Sequence, residues 1–290
     1  MSLTTLAQAV LAGLANGAFY AFLALSFTVI FALTRALNLA HGELVVLGGY
    51  LGYTAGRAWS LPPVLLAPLA ALALIPVGLL WRALIARIRG PVELNSLVLT
   101  FGLSLTLQNV MLLTWSADYR LIGTRTPTAP LLLGLSRERA AAAAIGLVTI
   151  LALQLCLRRT RWGTAVRATS LDAVTAALMG VNTDRVGVAS FAAAAAIAGA
   201  GGVFFGASHY LHPGVGVELT LLALTVAIFG SAFSRAGPLG GLLLGGLAIG
   251  LLESLTLAWA GPRWRELMVV GLLLGVLLAR RRGLDPGPGR

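Results

Sequence analysis

The chain has 290 residues, of which 58% are hydrophobic and only 11% are charged, whereas a soluble domain carries about 25% charged residues. This composition excludes an ordinary water-soluble fold. All 21 basic residues are arginine, and without lysine the chain cannot form a P-loop for ATP, a Schiff base or a lysine general base.

Long stretches without charge recur along the chain, and each is close to or above the ~20 residues that span a bilayer. They cover residues 1–34, 58–81, 94–117, 140–157 and 186–217. The first is too long for the core of a signal peptide, so we expect a retained membrane helix there. The pattern predicts an all-α, polytopic transmembrane helical bundle.

We predict about eight or nine membrane segments within one transmembrane domain that covers residues 1–290. The second and seventh are short and glycine-rich, so they could be broken or re-entrant helices, which need protein or water around them. In chain order, the nine segments are 6–33, 42–56, 60–81, 94–115, 140–157, 186–208, 219–234, 238–259 and 264–279.

The arginines indicate the orientation of the chain. Fourteen of the 21 fall in alternate gaps and in the tail from residue 280, which the positive-inside rule assigns to the cytoplasm. We therefore expect the N-terminus outside, the C-terminus in the cytoplasm and a location in the bacterial inner membrane. The net charge of +11 is explained by these anchors at the membrane lipid, and nucleic acid is not an expected partner.

Between the first two segments, Glu43 follows His41 at the start of a glycine-rich stretch. A carboxylate there is stabilised by the positive end of a helix. Alternatively, the element Asn38–Glu43 lines a solute pathway or holds a broken helix beside it, because ionisable groups inside a membrane face a cavity or the bundle interior.

Glycines recur at intervals of four residues in several segments, as at Gly48, Gly52 and Gly56 and at Gly246 and Gly250. This spacing is typical of helices that pack closely in lipid. Such contacts could also slide during a transport cycle.

The most informative polar stretch is Arg158–Arg185. We predict a short amphipathic helix that begins at an N-capping Ser170 and is closed by Gly180. Its apolar face consists of Leu171, Val174, Ala177 and Leu178. Such a helix could dock into another protein or lie on lipid headgroups, and the residues alone favour neither.

Other polar residues give weaker signals. Glu253 should face protein or water within its span, and we favour an interhelical hydrogen bond over substrate contact. His209 and His212 have no nearby set of ligands, so we predict no metal site. Cys156 is the only cysteine, so no intrachain disulfide forms. We expect neither a catalytic site nor a cofactor.

Three stretches resemble the permease subunits of branched-chain amino acid ABC importers. Residues 13–53 contain Asn38, Ala40, His41, Gly42 and Glu43, which are similar to the family's Asn-x-Ala-His-Gly-Glu element. Residues 160–206 resemble its ATPase-coupling loop, and residues 219–254 its glycine-rich seventh and eighth segments. Residues 229–238 depart from the family's two-glycine turn, since Phe233 and Arg235 stand there.

The resemblance implies a permease that imports branched-chain or other small amino acids by alternating access and is not itself an enzyme. It implies a second permease subunit, two cytoplasmic ABC ATPase subunits and a periplasmic solute-binding protein as partners. The implied translocation pathway includes Asn38, His41, Gly42, Glu43 and Glu253. The implied ATPase contact consists of Ser170, Leu171, Asp172, Ala173, Ala176, Ala177 and Gly180.

The rival hypothesis is an ion-coupled secondary transporter or channel for a small solute. That mechanism needs coupling groups buried along the path, and the predicted spans hold few ionisable residues, chiefly Glu43 and Glu253.

Overall fold

The computed structural model describes residues 3–34, 37–88, 92–123, 136–231, 233, 238–261, 263–264, 267–268, 270–272 and 274–275. The helices in this part of the chain are α1 (Leu3–Thr34), α2 (His41–Trp59), α3 (Pro63–Ile85), α4 (Val92–Trp115), α5 (Arg137–Arg159), α6 (Arg161–Leu171), α7 (Ala173–Leu178), α8 (Thr183–Ser208), α9 (Val215–Gly230) and α10 (Pro238–Trp259).

Six of these helices are long and apolar enough to cross a membrane: α1, α3, α4, α5, α8 and α10. The apolar helix α9, with 16 residues, is shorter. The prediction of a polytopic helical bundle is therefore confirmed. Half of the predicted ninth segment, 264–279, and Arg235, which precedes α10 in the sequence, lie outside the described residues.

The two short segments are both continuous helices. α2 runs unbroken over 19 residues and α9 over 16, so neither helix is interrupted within its own length, and neither is among the six helices long and apolar enough to span a membrane. Their glycines do not interrupt the backbone, because they lie where another helix approaches. Ten of the first twelve residues of α2 are buried, so α2 is a central helix of the bundle.

Close helix contacts form at the glycines that the spacing singled out. A Cβ on Gly48 of α2 would lie 2.6 Å from the Cα of Gly199 in α8. A Cβ on Gly246 of α10 would lie 2.6 Å from the carbonyl oxygen of Gly17 in α1. The predicted packing role is confirmed at these positions, since any side chain would separate the backbones.

Candidate functional site

The predicted coupling helix is divided into two helices at Asp172. The residue has an extended backbone and ends α6 while it caps α7. Its Oδ1 accepts hydrogen bonds from the backbone nitrogens of Val174 at 2.9 Å and Thr175 at 3.2 Å, and its Oδ2 accepts one from the Thr175 hydroxyl at 2.5 Å. These bonds, led by that of the Thr175 side chain, hold the pKa of the Asp172 carboxyl below its usual value.

The prediction that Ser170 is the N-cap is therefore wrong. Ser170 lies inside α6, where its hydroxyl donates to the carbonyl oxygen of Arg167 at 2.9 Å. A serine within a helix can bond back to its own helix, whereas the Asp172 carboxylate offers two acceptor oxygens to the start of α7.

The end of α7 agrees with the sequence pattern. Gly180 has a φ of +87°. Its nitrogen donates to Ala177 O at 3.0 Å, and the nitrogen of Val181 donates to Ala176 O at 3.0 Å. This pair of bonds defines the Schellman motif, with glycine at the position that needs a left-handed backbone. The predicted closure at Gly180 is confirmed.

An exposed apolar surface covers the junction of α6 and α7. Leu171 and Leu178 are each 82% exposed, and Val174 and Met179 are nearly as accessible. We call these four residues the α7 patch. Asp172, Ala173, Ala177 and Gly180 are also exposed. Ala176 is only 5% exposed, so it packs against its own chain, and Ser170 is half-buried.

The α7 patch is attached to the bundle through α6. Gly163, Val166 and Thr169 of α6 are buried, and a Cβ on Gly163 would clash with the backbone of Leu157 in α5. Thr160 caps α6 through its hydroxyl, which accepts from Gly163 N at 3.0 Å. The helix that precedes α7 is therefore packed tightly against the end of α5.

An ion pair lies at the same end of the bundle. The Arg82 guanidinium, on the last turn of α3, donates to Asp184 Oδ1 on the first turn of α8 at 2.7 Å. The Asp184 side chain is 89% exposed, so water screens the pair and its contribution to stability is small.

The element Asn38–Glu43 lies inside the protein. Asn38 Oδ1 accepts from Ala40 N at 3.1 Å and forms the turn before α2. His41 Nε2 lies 3.2 Å from Ser26 Oγ, and the His41 ring meets that of Phe27 edge-on at 5.5 Å. Ser26 precedes the end of α1 by eight residues, about 12 Å at 1.5 Å per residue. The element therefore lies well inside the bundle.

Glu43 connects α2 to two other helices. Its Oε1 accepts from Ser104 Oγ of α4 at 3.1 Å, and its carboxylate lies against Gly216 of α9, where a Cβ would clash with it. Glu43 is 0% exposed, and its Oε2 has no hydrogen-bond partner among the described residues.

The N-termini of α2 and α9 meet at this point. Gly42 N donates to Thr220 Oγ1 at 2.8 Å, and a Cβ on Gly42 would overlap the carbonyl oxygen of Gly216. Both helices thus begin in the interior, with their positive ends beside one carboxylate. This arrangement stabilises negative charge and fixes the two helix starts relative to α4.

Glu253 belongs to a different contact. It is 2% exposed and follows Gly250, which packs against Gly13 and Gly17 of α1. This burial agrees with the expectation that Glu253 faces protein or water and not lipid. Glu253 lies on α10 one turn after Gly250, which packs on α1, whereas the Asn38–Glu43 element lies among α1, α2, α4 and α9.

Sequence reasoning missed a polar pocket at the C-terminal part of α4. The pocket has a volume of about 240 Å³ and lies between α4 and the segment that connects α8 to α9. An available signal was the adjacent pair of amide side chains in an otherwise apolar span. The lining residues are Gln108, Asn109, Leu112, Ala117, Tyr119, His212, Pro213 and Gly214.

A metal site is not indicated in the described part of the chain. No group of three His, Cys, Asp or Glu residues there could hold a metal ion. The aromatic ring of Tyr119 meets His212 at a centroid distance of 5.1 Å.

Comparison with known proteins decides the family. The family described as "Branched-chain amino acid transport system / permease component" matches residues 9–277, which is nearly the whole chain. The chain belongs to this family. It is a multi-pass membrane protein and the permease component of an ABC importer, a transport subunit rather than an enzyme.

Individual relatives match this chain over most of their length. The chain is 28% identical over 295 residues to the high-affinity branched-chain amino acid transport system permease protein BraD of Pseudomonas aeruginosa, covering 96% of this chain and 94% of BraD. It is 29% identical over 296 residues to LivH of Escherichia coli K12, a permease protein of the same description, covering 94% and 92% of the two chains.

The chain is also similar to a permease whose name gives a solute other than a branched-chain amino acid. The autoinducer 2 import system permease protein LsrC of Salmonella typhi is 28% identical over 259 residues, with 85% of this chain and 70% of LsrC covered. No solved structure matches the chain.

Proposed function

We propose that this permease moves branched-chain or other small amino acids across the bacterial inner membrane by alternating access. The solute class is supported by the similarity to BraD and LivH over more than nine-tenths of the chain. The observation that carries the mechanism is the α7 patch, an exposed apolar surface attached to one end of the bundle through α6. Apolar surface of this kind marks a contact with another molecule.

Two cytoplasmic ATPase subunits are the proposed partners at the α7 patch. The chain contains no lysine and so cannot bind ATP through a P-loop of its own. In this proposal Leu171, Asp172, Ala173, Ala177 and Gly180 lie at the ATPase contact, while Ser170 and Ala176 support it from within.

Coupling follows from the attachment of α6 to α5. When the ATPases close and open, a docked α7 moves with them, and α6 transmits the displacement to the membrane helices as a nearly rigid unit. ATP is bound and hydrolysed by the partner subunits. This chain converts their movement into opening of the solute pathway to one side of the membrane and then to the other.

The Asn38–Glu43 element holds helices beside the pathway in this proposal. Asn38, His41, Gly42 and Glu43 are all buried, which supports a positioning role over direct contact with solute. Glu253 positions α10 against α1 in the same way.

The remaining assembly is proposed from the family. A second permease subunit encloses the pathway with this chain, and a periplasmic binding protein delivers the solute. The N-terminus lies outside and the C-terminus in the cytoplasm, as the arginine distribution indicates. Residues 1–290 form a single permease domain, with a coupling loop at 158–185.

Reconstitution tests the proposal. Proteoliposomes should contain this chain and its second permease, with and without the two ATPases, and uptake of radiolabelled leucine and other standard amino acids should be measured. We expect uptake only with ATPases, ATP and binding protein present. Uptake by the permeases alone, driven by a proton or sodium gradient, would favour the secondary transporter and overturn the proposal.

A further inference from the structure

The first turn of α9 carries a carboxylate that faces away from the bundle. Glu218 is exposed, and it makes no hydrogen bond or ion pair within the part of the chain that the structure describes. Its neighbours on the same face of α9 are apolar, since Val217 is 51% exposed and Leu221 39%. Glu43 and Glu253, by contrast, are buried. Glu218 is therefore a charged group on an otherwise apolar outer surface.

Glu218 lies near the middle of the membrane. It follows Gly216 by two residues, and Gly216 packs on Glu43 inside the bundle. Tyr20 of α1 lines the same groove as Glu218. Tyr20 lies 17 residues after the first residue of α1 and 14 before the last, about 25 and 21 Å along the axis. Since the hydrocarbon core is ~30 Å thick, Glu218 lies within it.

The groove beside Glu218 has room for water. Its volume is about 330 Å³, and its walls come from α1, the end of α8, α9 and Val270. Most of its lining is aromatic or aliphatic, with the ring of Phe205 stacked on that of His209 at 4.9 Å. One water takes up about 30 Å³, so several waters can lie next to the carboxylate.

Lipid alone is a poor cover for this face of α9. A charged side chain at the centre of a bilayer is costly, and glutamate is too short to reach the headgroups ~15 Å away. Ionisable groups at this depth face the bundle interior or a water-filled cavity. Glu218 does not face the interior of its own bundle, so the cavity lies outside this chain. A second protein must then separate that cavity from the lipid.

We propose that the α9 face with Val217, Glu218 and Leu221 is turned towards the second permease subunit, and that Glu218 lines the solute pathway between the two. The fixed negative charge favours a solute with an ammonium group, such as a free amino acid, over a purely anionic solute. The buried Glu43 then holds α9 in place from behind. The inference rests on the proposed function, in which a second permease encloses the pathway with this chain.

Site-directed labelling tests whether Glu218 meets water or lipid. Cys156 is the only cysteine, so Cys156→Ser provides a background without thiols. Glu218→Cys in that background is assembled with the second permease and the ATPases in proteoliposomes. A membrane-impermeant maleimide is supplied inside and outside the vesicles, with and without a non-hydrolysable ATP analogue. The reagent needs the thiolate, which forms in water and is suppressed in apolar surroundings.

The matched control is Val148→Cys on α5. Val148 is 65% exposed and lies 11 residues from each end of its helix, about 17 Å, so it is equally deep but has no charge to cover. We expect Glu218→Cys to react severalfold faster than Val148→Cys in at least one nucleotide state. Equal rates at the two positions in both states would overturn the inference.

A transport measurement keeps the inference testable if the cysteine variant does not assemble. Glu218→Leu removes the charge, and we expect the maximal rate of amino acid uptake to fall severalfold at an unchanged Tm, whereas Glu218→Asp should restore the rate. If Glu218 faced lipid, leucine would remove a costly charge and raise Tm without loss of uptake. That result would contradict the inference.

The outcomes separate the two proposals. If the wild-type complex imports no amino acid, the proposed function fails whatever the labelling shows. If it imports amino acids while Glu218→Cys reacts no faster than Val148→Cys and Glu218→Leu transports normally, only the assignment of Glu218 to the pathway fails.

Discussion

The α7 patch and the Asn38–Glu43 element invert the ordinary distribution of polarity in opposite ways. The patch places leucine, valine and methionine side chains on an exposed surface. The element buries a carboxylate, an imidazole and an amide inside the bundle. An exposed apolar surface is typical of a contact with another molecule, whereas polar groups buried among several helices are typical of internal positioning.

The largest effect is expected from Gly216→Leu, at the buried element. A side chain at this position would overlap the Glu43 carboxylate and separate α9 from α2, with a cost of about 3 kcal/mol or more from overpacking. We expect strongly reduced folded protein and a lower Tm, measured by fluorescence-detected size exclusion in detergent. Gly102→Leu is the control, because a Cβ there meets nothing within 4 Å. Equal Tm values in the two variants would contradict the described packing.

At the patch, Leu178→Asp should impair coupling without unfolding the protein. Leu178 is 82% exposed, so the change costs the isolated chain little, but a charge in an apolar interface must be desolvated. We expect ATP-driven uptake to fall at least about tenfold, since burying one unpaired charge costs several kcal/mol. Measurement of Tm should show little change.

The control for Leu178→Asp is Thr164→Asp, on the exposed face of α6. This variant should keep its uptake. If both variants transport equally well, the patch is not the contact with the ATPases.

Gly180→Val should weaken the same contact more gently. Valine at a φ of +87° costs about 1–2 kcal/mol, which the turn relieves by unwinding the end of α7. We expect uptake to be uncoupled from ATP hydrolysis, seen as a lower number of solutes imported per ATP. Gly180→Asn is the control, because asparagine tolerates this backbone. An unchanged ratio in Gly180→Val would show that the turn is not needed for coupling.

The smallest effect is expected from Glu43→Gln, and its size separates two roles. Glutamine can still accept from Ser104, so a positioning residue tolerates the change within about 1 kcal/mol, the value of one hydrogen bond. We expect nearly normal uptake and Tm. Glu43→Leu, which removes the acceptor, should lower both. Loss of uptake in Glu43→Gln at an unchanged Tm would instead assign the charge itself to the solute pathway.

Much of the fold was predictable because its signals are local. Charge-free runs located five of the six spans, and glycine spacing predicted close helix packing at positions such as Gly48. The closure of α7 at Gly180 followed from the residue's freedom to adopt a positive φ. The capping residue was not predicted correctly, since Ser170 and Asp172 are both good caps and only the observed break between α6 and α7 distinguishes them.

The sequence by itself determined a membrane-spanning helical protein with no lysine for ATP, because composition and periodicity depend on each segment's own residues, and the permease role came from its resemblance to a known family. Only the tertiary structure decided that α2 and α9 begin inside the bundle and meet at Glu43, that Ala176 faces inward, and that Gln108 and His212 share a pocket. These features bring together residues up to 178 positions apart in the sequence. Such residues become neighbours only when the helices pack.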